Sequence, residues 1–311
     1  MSTTTTTSTT AADETLPLRS QAAGARRSAA GLRVLRRSPL MTAGLVMIGL
    51  VVLCAVLAPF VGTRNPIQQN LALANRPPAW QPRGVADAPL GTDQFGRDVW
   101  SRIVYGAQIS LAIGMAASLL GALVGVTAGL VAGFYGGKVD ILVMRIVDLN
   151  LAFPLILLAL AIAAILGPSL QNLVMVMALT TWMIYARVVR GVTLSLRERE
   201  FVQAARAIGV SNARIMWRHI LPNLLAPVMV LWTLELARVI LMESALSFLG
   251  VGVPPPTPTW GRMLAEGRGL LTTAPWIATF PGIAITIMVL GVNFFGDGLR
   301  DLLDPRLRKQ T

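Results

Sequence analysis

The chain has 311 residues, of which 54% are hydrophobic and only 14% charged, with a mean hydropathy of +0.63. A soluble domain carries about 25% charged residues, so the composition excludes a disordered chain and argues against a soluble enzyme. One cysteine and one histidine exclude a disulfide framework and a His/Cys metal centre, and the net charge of +12 is spread as arginines between apolar runs, which argues against a nucleic-acid partner.

Residues 1–38 read as a partly disordered tail. Ser2 to Thr10 is a Ser/Thr-rich run too polar to bury a core, and Arg19, Arg26, Arg27, Arg33, Arg36 and Arg37 follow it. Leu40 to Val61 carries no charge over 22 residues. At 1.5 Å per residue such a run crosses a hydrocarbon core of about 30 Å. It is too long, and starts too late, for the apolar core of a signal peptide. Residues 39–61 are therefore predicted to be the first transmembrane helix. Residues 62–102 hold Pro66, Pro77, Pro78, Pro82 and Pro89 with charges of both signs, and are predicted to be an external loop.

Ile103 to Gly137 is uncharged for 35 residues, more than one span needs. The excess is expected to lie along the interface before the helix turns in. Further spans are predicted over 141–166, 170–194, 223–250 and 276–296, giving six in an all-α membrane protein with a core over 103–305. Gly121, Gly125, Gly129 and Gly133 recur every four residues, extended by Ala117, and form one smooth stripe on a helix. Small residues admit a second helix closely, so the stripe is predicted to be a packing face, with a pore lining as the alternative.

Lys and Arg set the orientation. If the N-terminus is inside, the inner segments carry 19 of them and the outer loops seven. The bias predicts both termini, including the short tail 306–311, in the cytoplasm.

The polar segment 197–222 is expected on that same side. Phe201, Ala205 and Ile208 fall on one helical face, and Gly209 suits a left-handed helix end. Ser211 then suits the cap of a second short helix, with Ile215, Met216 and Trp217 on its apolar side and Pro222 at the start of the next span. The unit reads as helix, Gly turn, helix. Physical chemistry alone weighs two uses equally: a docking element for a soluble partner, or an amphipathic connector lying on membrane lipid.

The residues decide between them. Ala204, Ala205, Gly209, Leu221 and Pro222 match, at the right spacing, the EAA loop of ABC-transporter permeases, with Gln203 in place of its Glu and His219 in place of its Ile. Three further stretches resemble the dipeptide, oligopeptide and nickel importer branch. They are Pro89 to Asp98, Ser247 to Gly261, and Asn293 to Asp301 with Asp304 to Arg306. The order of these motifs is most similar to the C-type permease subunit.

The resemblance implies a type I importer permease: one helix ahead of a five-helix core in the bacterial inner membrane. It implies a second, B-type permease subunit, one or two cytoplasmic ABC ATPases that hold ATP and Mg, and an extracytoplasmic solute-binding protein. Gln203, Ala204, Ala205, Arg206, Gly209, Ser211, His219, Leu221 and Pro222 would then form the ATPase-coupling loop. The cargo implied is di- or oligopeptide, with nickel or another small solute as the alternative. The spans hold no Met/His relay for bare metal, which favours peptide.

Ionisable groups at membrane depth are costly unless paired or wet. Arg145 with Asp148, and Glu235 with Arg238, stand three apart and are expected to pair on their own helices. Glu243 has no such partner and is, with Asp148 and Asn293, the expected pathway or inter-subunit residue. The sequence lacks G-x-x-x-x-G-K-[ST]: Val139 follows Gly137-Lys138, and Ala132 stands where the first Gly belongs. The chain is thus expected to catalyse no hydrolysis, to bind no cofactor and to hold no metal. An ion-driven carrier remains the reading of a different class. It would call for internal repeats, and the two sides of residue 150 share no motifs.

Overall fold

The computed structural model describes residues 38–303. The predicted tails, and the motif residues Asp304 to Arg306, lie outside the described residues. α1 (Pro39–Val56) starts where Ser38 Oγ accepts from Met41 N at 3.4 Å and proline fills the first helical turn. A short α2 (Ala58–Val61) follows, then a loop in which the 3₁₀ turn Leu71–Leu73 is the only helical piece.

α3 (Val99–Tyr135) is continuous over 37 residues, about 55 Å at 1.5 Å per residue. This corrects two expectations. The loop ends at Asp98, whose carboxylate accepts from Trp100 N and Ser101 N, and the helix then runs on without a turn. The first turn is instead buried: Val99 and Ile103 pack with Met263 of a later loop helix.

The predicted span 141–166 is also corrected. It is two helices, α4 (Gly137–Leu151) and α5 (Leu155–Leu166), bent by 90° at the break. Pro154 has no N–H to continue α4 and disfavours helix at Phe153 before it.

α6 (Leu170–Leu196) is capped by Ser169, whose hydroxyl accepts from Asn172 N at 3.0 Å. The polar unit holds α7 (Glu200–Ala207), α8 (Asn212–Arg214) and a π-helical turn, Ile215–Ile220, which runs into α9 (Leu221–Phe248). Pro222 removes one amide from the ladder just after the widened turn. Asn212–Phe248 forms one rod of 37 residues. α10 (Trp260–Gly267) lies in the next loop, and α11 (Trp276–Leu303) closes the described chain.

Among the described residues five helices are long and apolar enough to cross a membrane, and the bent pair makes a sixth if counted as one span. Among the described residues there is no strand, only an isolated bridge between Thr92 and Asp98. Val46, Phe60, Leu123, Ile141 and Ile165 are more than half exposed, as a hydrocarbon solvent requires of an outer surface.

α3 and α6 pack along the glycine stripe. A Cβ on Gly121 would lie 3.0 Å from Thr181 Cβ, and one on Gly133 would lie 2.8 Å from Thr193 Cβ. On Gly125 and Gly129 it would run into the backbone of Trp182 and Ala186. α11 lies as closely on α1, with Gly44 against the backbone of Phe294 and Phe295.

Candidate coupling surface and the charged groups of the core

The unit over 197–222 is built onto the ends of three long helices. Val202, Ala205, Ile215, Met216 and Ile220 are buried with Leu130 and Phe134 of α3, Val189 of α6 and Leu224 of α9. α7 stops at a Schellman turn. Gly209, at φ +75°, donates to Arg206 O at 3.0 Å, and Val210 donates to Ala205 O at 3.0 Å. A Cβ on Gly209 would meet nothing within 4 Å, so the glycine is there for its backbone alone.

Side chains tie the unit down. The Arg206 guanidinium stands over the Phe134 ring at 5.4 Å, and Arg197 Nη1 donates to Gly133 O at 3.1 Å. Arg190 makes a two-pronged pair with Asp140, with Nη2 to Oδ2 at 2.6 Å.

The other side of the unit faces out. Phe201, Gln203, Ala204, Arg206, Ile208, Gly209, Ser211 and Pro222 are exposed, Ile208 to 80%. His219 and Leu221 are half-buried. Two details differ from the expectation. Ala205 turns inward with Val202, while Phe201 and Ile208 turn outward; Trp217 also turns out, away from Ile215 and Met216. Ser211 takes the cap position, but its side chain makes no capping hydrogen bond. A short helix is thus left with one face in a core and a large apolar group on each end of the other.

Glu243 lies inside the chain rather than on an open surface. Its residue exposure is 0%, Ser247 Oγ donates to its Oε1 at 2.8 Å, and Oε2 has no partner. The hydroxyls of Ser110, Ser244 and Thr259 stand around it. Three elements, α3, α9 and the cap of α10, thereby bring hydroxyls to the buried carboxyl. Asp148 is exposed and pairs with Arg187 of α6 at 2.6 Å instead of with Arg145 on its own helix. Glu235 and Arg238 pair as expected, at 3.5 Å. Asn293 is half-buried on α11.

A cluster that the sequence reading did not assemble sits at the opposite end from the 197–222 unit. Asp93 is buried and accepts from Arg97 Nε at 2.6 Å and from Arg102. Glu266 of α10 accepts from Arg97 at 2.8 Å, from Arg102 at 2.7 Å and from Arg262 at 3.0 Å. Burial alone would raise the Glu266 carboxyl, but the three guanidiniums, Arg102 first, outweigh it and hold the group below its ordinary range. Indole donors fix the surrounding loops. Trp260 Nε1 bonds Ile103 O, and Trp276 Nε1 bonds Thr92 O, both at 3.0 Å. The presence of charges of both signs in the motif 89–98 was the available signal; their partner Glu266 is more than 160 residues away.

Among the described residues no group of three or more His, Cys, Asp or Glu side chains stands together as a metal site would need. The arrangement offers an exposed helix–turn–helix unit packed onto the ends of long apolar helices, and a charge-locked plate at the helices' other ends.

Residues 125–309 match the model of the binding-protein-dependent transport system inner membrane component, and residues 29–78 that of the N-terminal TM domain of oligopeptide transport permease C. The chain is 46% identical over 274 residues to the dipeptide transport system permease protein DppC of Alkalihalophilus pseudofirmus, covering 88% of each. It is 43% identical to the di/tripeptide transport system permease DppC of Pseudomonas aeruginosa, covering 85% of this chain and 88% of that one. It is also 47% identical over 219 residues to the glutathione transport system permease GsiD of Escherichia coli, covering 70% and 72%. Among solved structures, the inward-facing methionine ABC transporter MetNI gives a TM-score of 0.55 at 20% identity, covering 65% of this chain and 96% of that one, a likeness of fold.

Proposed function

Because the chain belongs to the family of inner-membrane components of binding-protein-dependent transport systems, in its oligopeptide permease C branch, we propose that it forms half of an ATP-driven import path for di- and oligopeptides. The relatives' names give dipeptide, di/tripeptide and glutathione as cargo, and peptide is the class these share.

In this reading the chain sits in the bacterial inner membrane with both ends in the cytoplasm. A second permease supplies the other wall of the path, and a solute-binding protein delivers cargo to the plate around Asp93 and Glu266. Cytoplasmic ATPases bind ATP and Mg and carry out the hydrolysis. The chain itself is a gated wall and a lever. ATP-driven closure of the ATPases moves the 197–222 unit, and α3 and α9 carry that motion across the membrane.

One observation carries the coupling role. Phe201, Ala204 and Ile208 form an exposed face on a unit whose opposite face is packed into the ends of α3, α6 and α9. A push on the first must move the second. Ala204→Trp should leave the complex assembled and cut uptake by about tenfold, the loss expected from spoiling one well-packed interface position. Ala205→Trp, buried among the chain's own helices, should instead lower yield and stability. Uptake unchanged in Ala204→Trp would sink the coupling role.

A further inference from the structure

α9 is covered on one side only. Leu224, Leu236, Ile240, Glu243 and Ser247 are buried against the rest of the chain. Down the other side runs a stripe at alternating spacings of four and three, with Leu234, Arg238 and Leu241 exposed and Pro227, Leu231 and Ala245 half-buried. All of these are apolar but one. Arg238 stands inside the span, its side chain 45% exposed. Among the described residues its ionic partner is Glu235, at 3.5 Å and almost wholly buried.

Arg238 borders a cavity of about 470 Å³ whose other wall is Pro154, Leu155 and Ile156, at the 90° break of the third span. Two physical demands meet there. A half-exposed arginine facing hydrocarbon costs several kcal/mol. Non-helical backbone at membrane depth persists only where protein buries it or where it lines a water-filled cavity. A water-filled path along the stripe satisfies both.

Cations also mark the ends of the stripe. Arg268 stands over the ring of Phe248 at 5.4 Å, one turn beyond Ala245. At the other end Arg300 borders a cavity of about 410 Å³ together with Pro227, Leu231 and Leu234. Asp297 and Asp301 flank Arg300 on α11. The stripe itself carries no acidic side chain.

Resting on the importer reading above, we propose that this stripe is the chain's wall of the translocation path, and that Arg238 is a transient site for the α-carboxylate of the passing peptide. The guanidinium has five N–H donors in a planar fork that matches a carboxylate, and Glu235 engages only one edge of it. The same Glu235 tempers the site. A conducted solute must be held well enough to enter and loosely enough to leave. Peptides of any side-chain composition carry the carboxylate, so one arginine serves a cargo class rather than a single molecule.

Cys54 is the only cysteine in the chain, so Arg238→Cys in a Cys54→Ala background carries a single thiol. The complete transporter would be reconstituted in proteoliposomes with its binding protein and radiolabelled dialanine. Arg238→Cys should lower uptake by about tenfold or more, the worth of one charge-assisted hydrogen bond. Aminoethyl methanethiosulfonate, which adds an ammonium group, should restore uptake. The sulfonatoethyl reagent should label the thiol without restoring it, dialanine should slow both reactions, and Arg238→Lys should keep most of the activity.

A thiol that neither reagent reaches in the assembled transporter, equal effects of the two reagents, or undiminished uptake in Arg238→Cys would each overturn the proposal. The peptide reading fails separately, if the Cys54→Ala parent with Arg238 intact moves no dipeptide. Labelling by both aqueous reagents would then still support a water-facing wall.

Discussion

Gly125→Ala adds one methyl group where α3 crosses α6. That carbon would lie 2.6 Å from Tyr185 Cβ and 3.0 Å from the carbonyl carbon of Trp182, with the carbonyl oxygen also in its way. Carbon–carbon contacts settle at about 3.5–4.0 Å, so the helices must part by about 1 Å. No obstructing atom is the free end of a side chain, so none can rotate away. Overpacking of this kind costs about 1–3 kcal/mol, and separation would loosen the neighbouring contacts of Gly121 and Gly129 as well. Alanine regains up to about 1 kcal/mol of helix propensity, leaving a net loss of about 1–2 kcal/mol. Gly191→Ala is the control: it lies in α6, is exposed, and has nothing within 4 Å of the added carbon. Thermal unfolding of the detergent-purified chain, followed by size-exclusion chromatography, should show Gly125→Ala melting about 2–8 °C lower. Gly191→Ala should match or exceed the parent. Equal melting of the two variants would refute the close-packing account of the stripe.

Glu266→Gln leaves Arg97, Arg102 and Arg262 short of countercharge and should cost about 3 kcal/mol, read as a lower melting temperature. The carboxyl is held below its ordinary value of 4.5, so its stabilising effect is complete above that pH and is lost as pH falls through the depressed value. The parent should therefore weaken in acid below about pH 4.5, and the melting temperature of Glu266→Gln should vary less with pH there. Gly209→Ala meets no atom, so its cost is the left-handed backbone alone, about 1 kcal/mol. Hydrogen exchange at the Val210 amide, one of the two Schellman donors, should quicken by about fivefold. A rate like the parent's would mean the turn is held by something other than that conformation.

The 197–222 unit was legible because its signals are local. Gly209 stops a helix, and Pro222 and the apolar run behind it open the next span, all within two dozen residues. The glycine stripe was legible for the same reason, since a four-residue period places it on one face before any partner is known. The break at Pro154 was missed because hydropathy sees an uncharged run from 151 to 166 and is blind to direction. Asp93 and Glu266 were invisible as partners because nothing local joins a loop before α3 to a helix after α9. The surroundings of Glu243 were not legible from its own helix: counting partners within four residues finds no cation, whereas the groups around it are hydroxyls, two of them from other elements.

α3 and the rod Asn212–Phe248 are the same length, 37 residues. At one end both are rooted in the core around Phe134 and Ile215. At the other, Arg102 of α3 binds Glu266 of α10, and Thr259, the cap of that helix, stands with Ser247 of α9 around Glu243. Two equal bars joined at both ends make a parallelogram. Such a frame shears readily but stretches hardly at all. With bars of about 55 Å, each degree of tilt slides one end past the other by about 1 Å while the separation of the bars' ends along their length is kept.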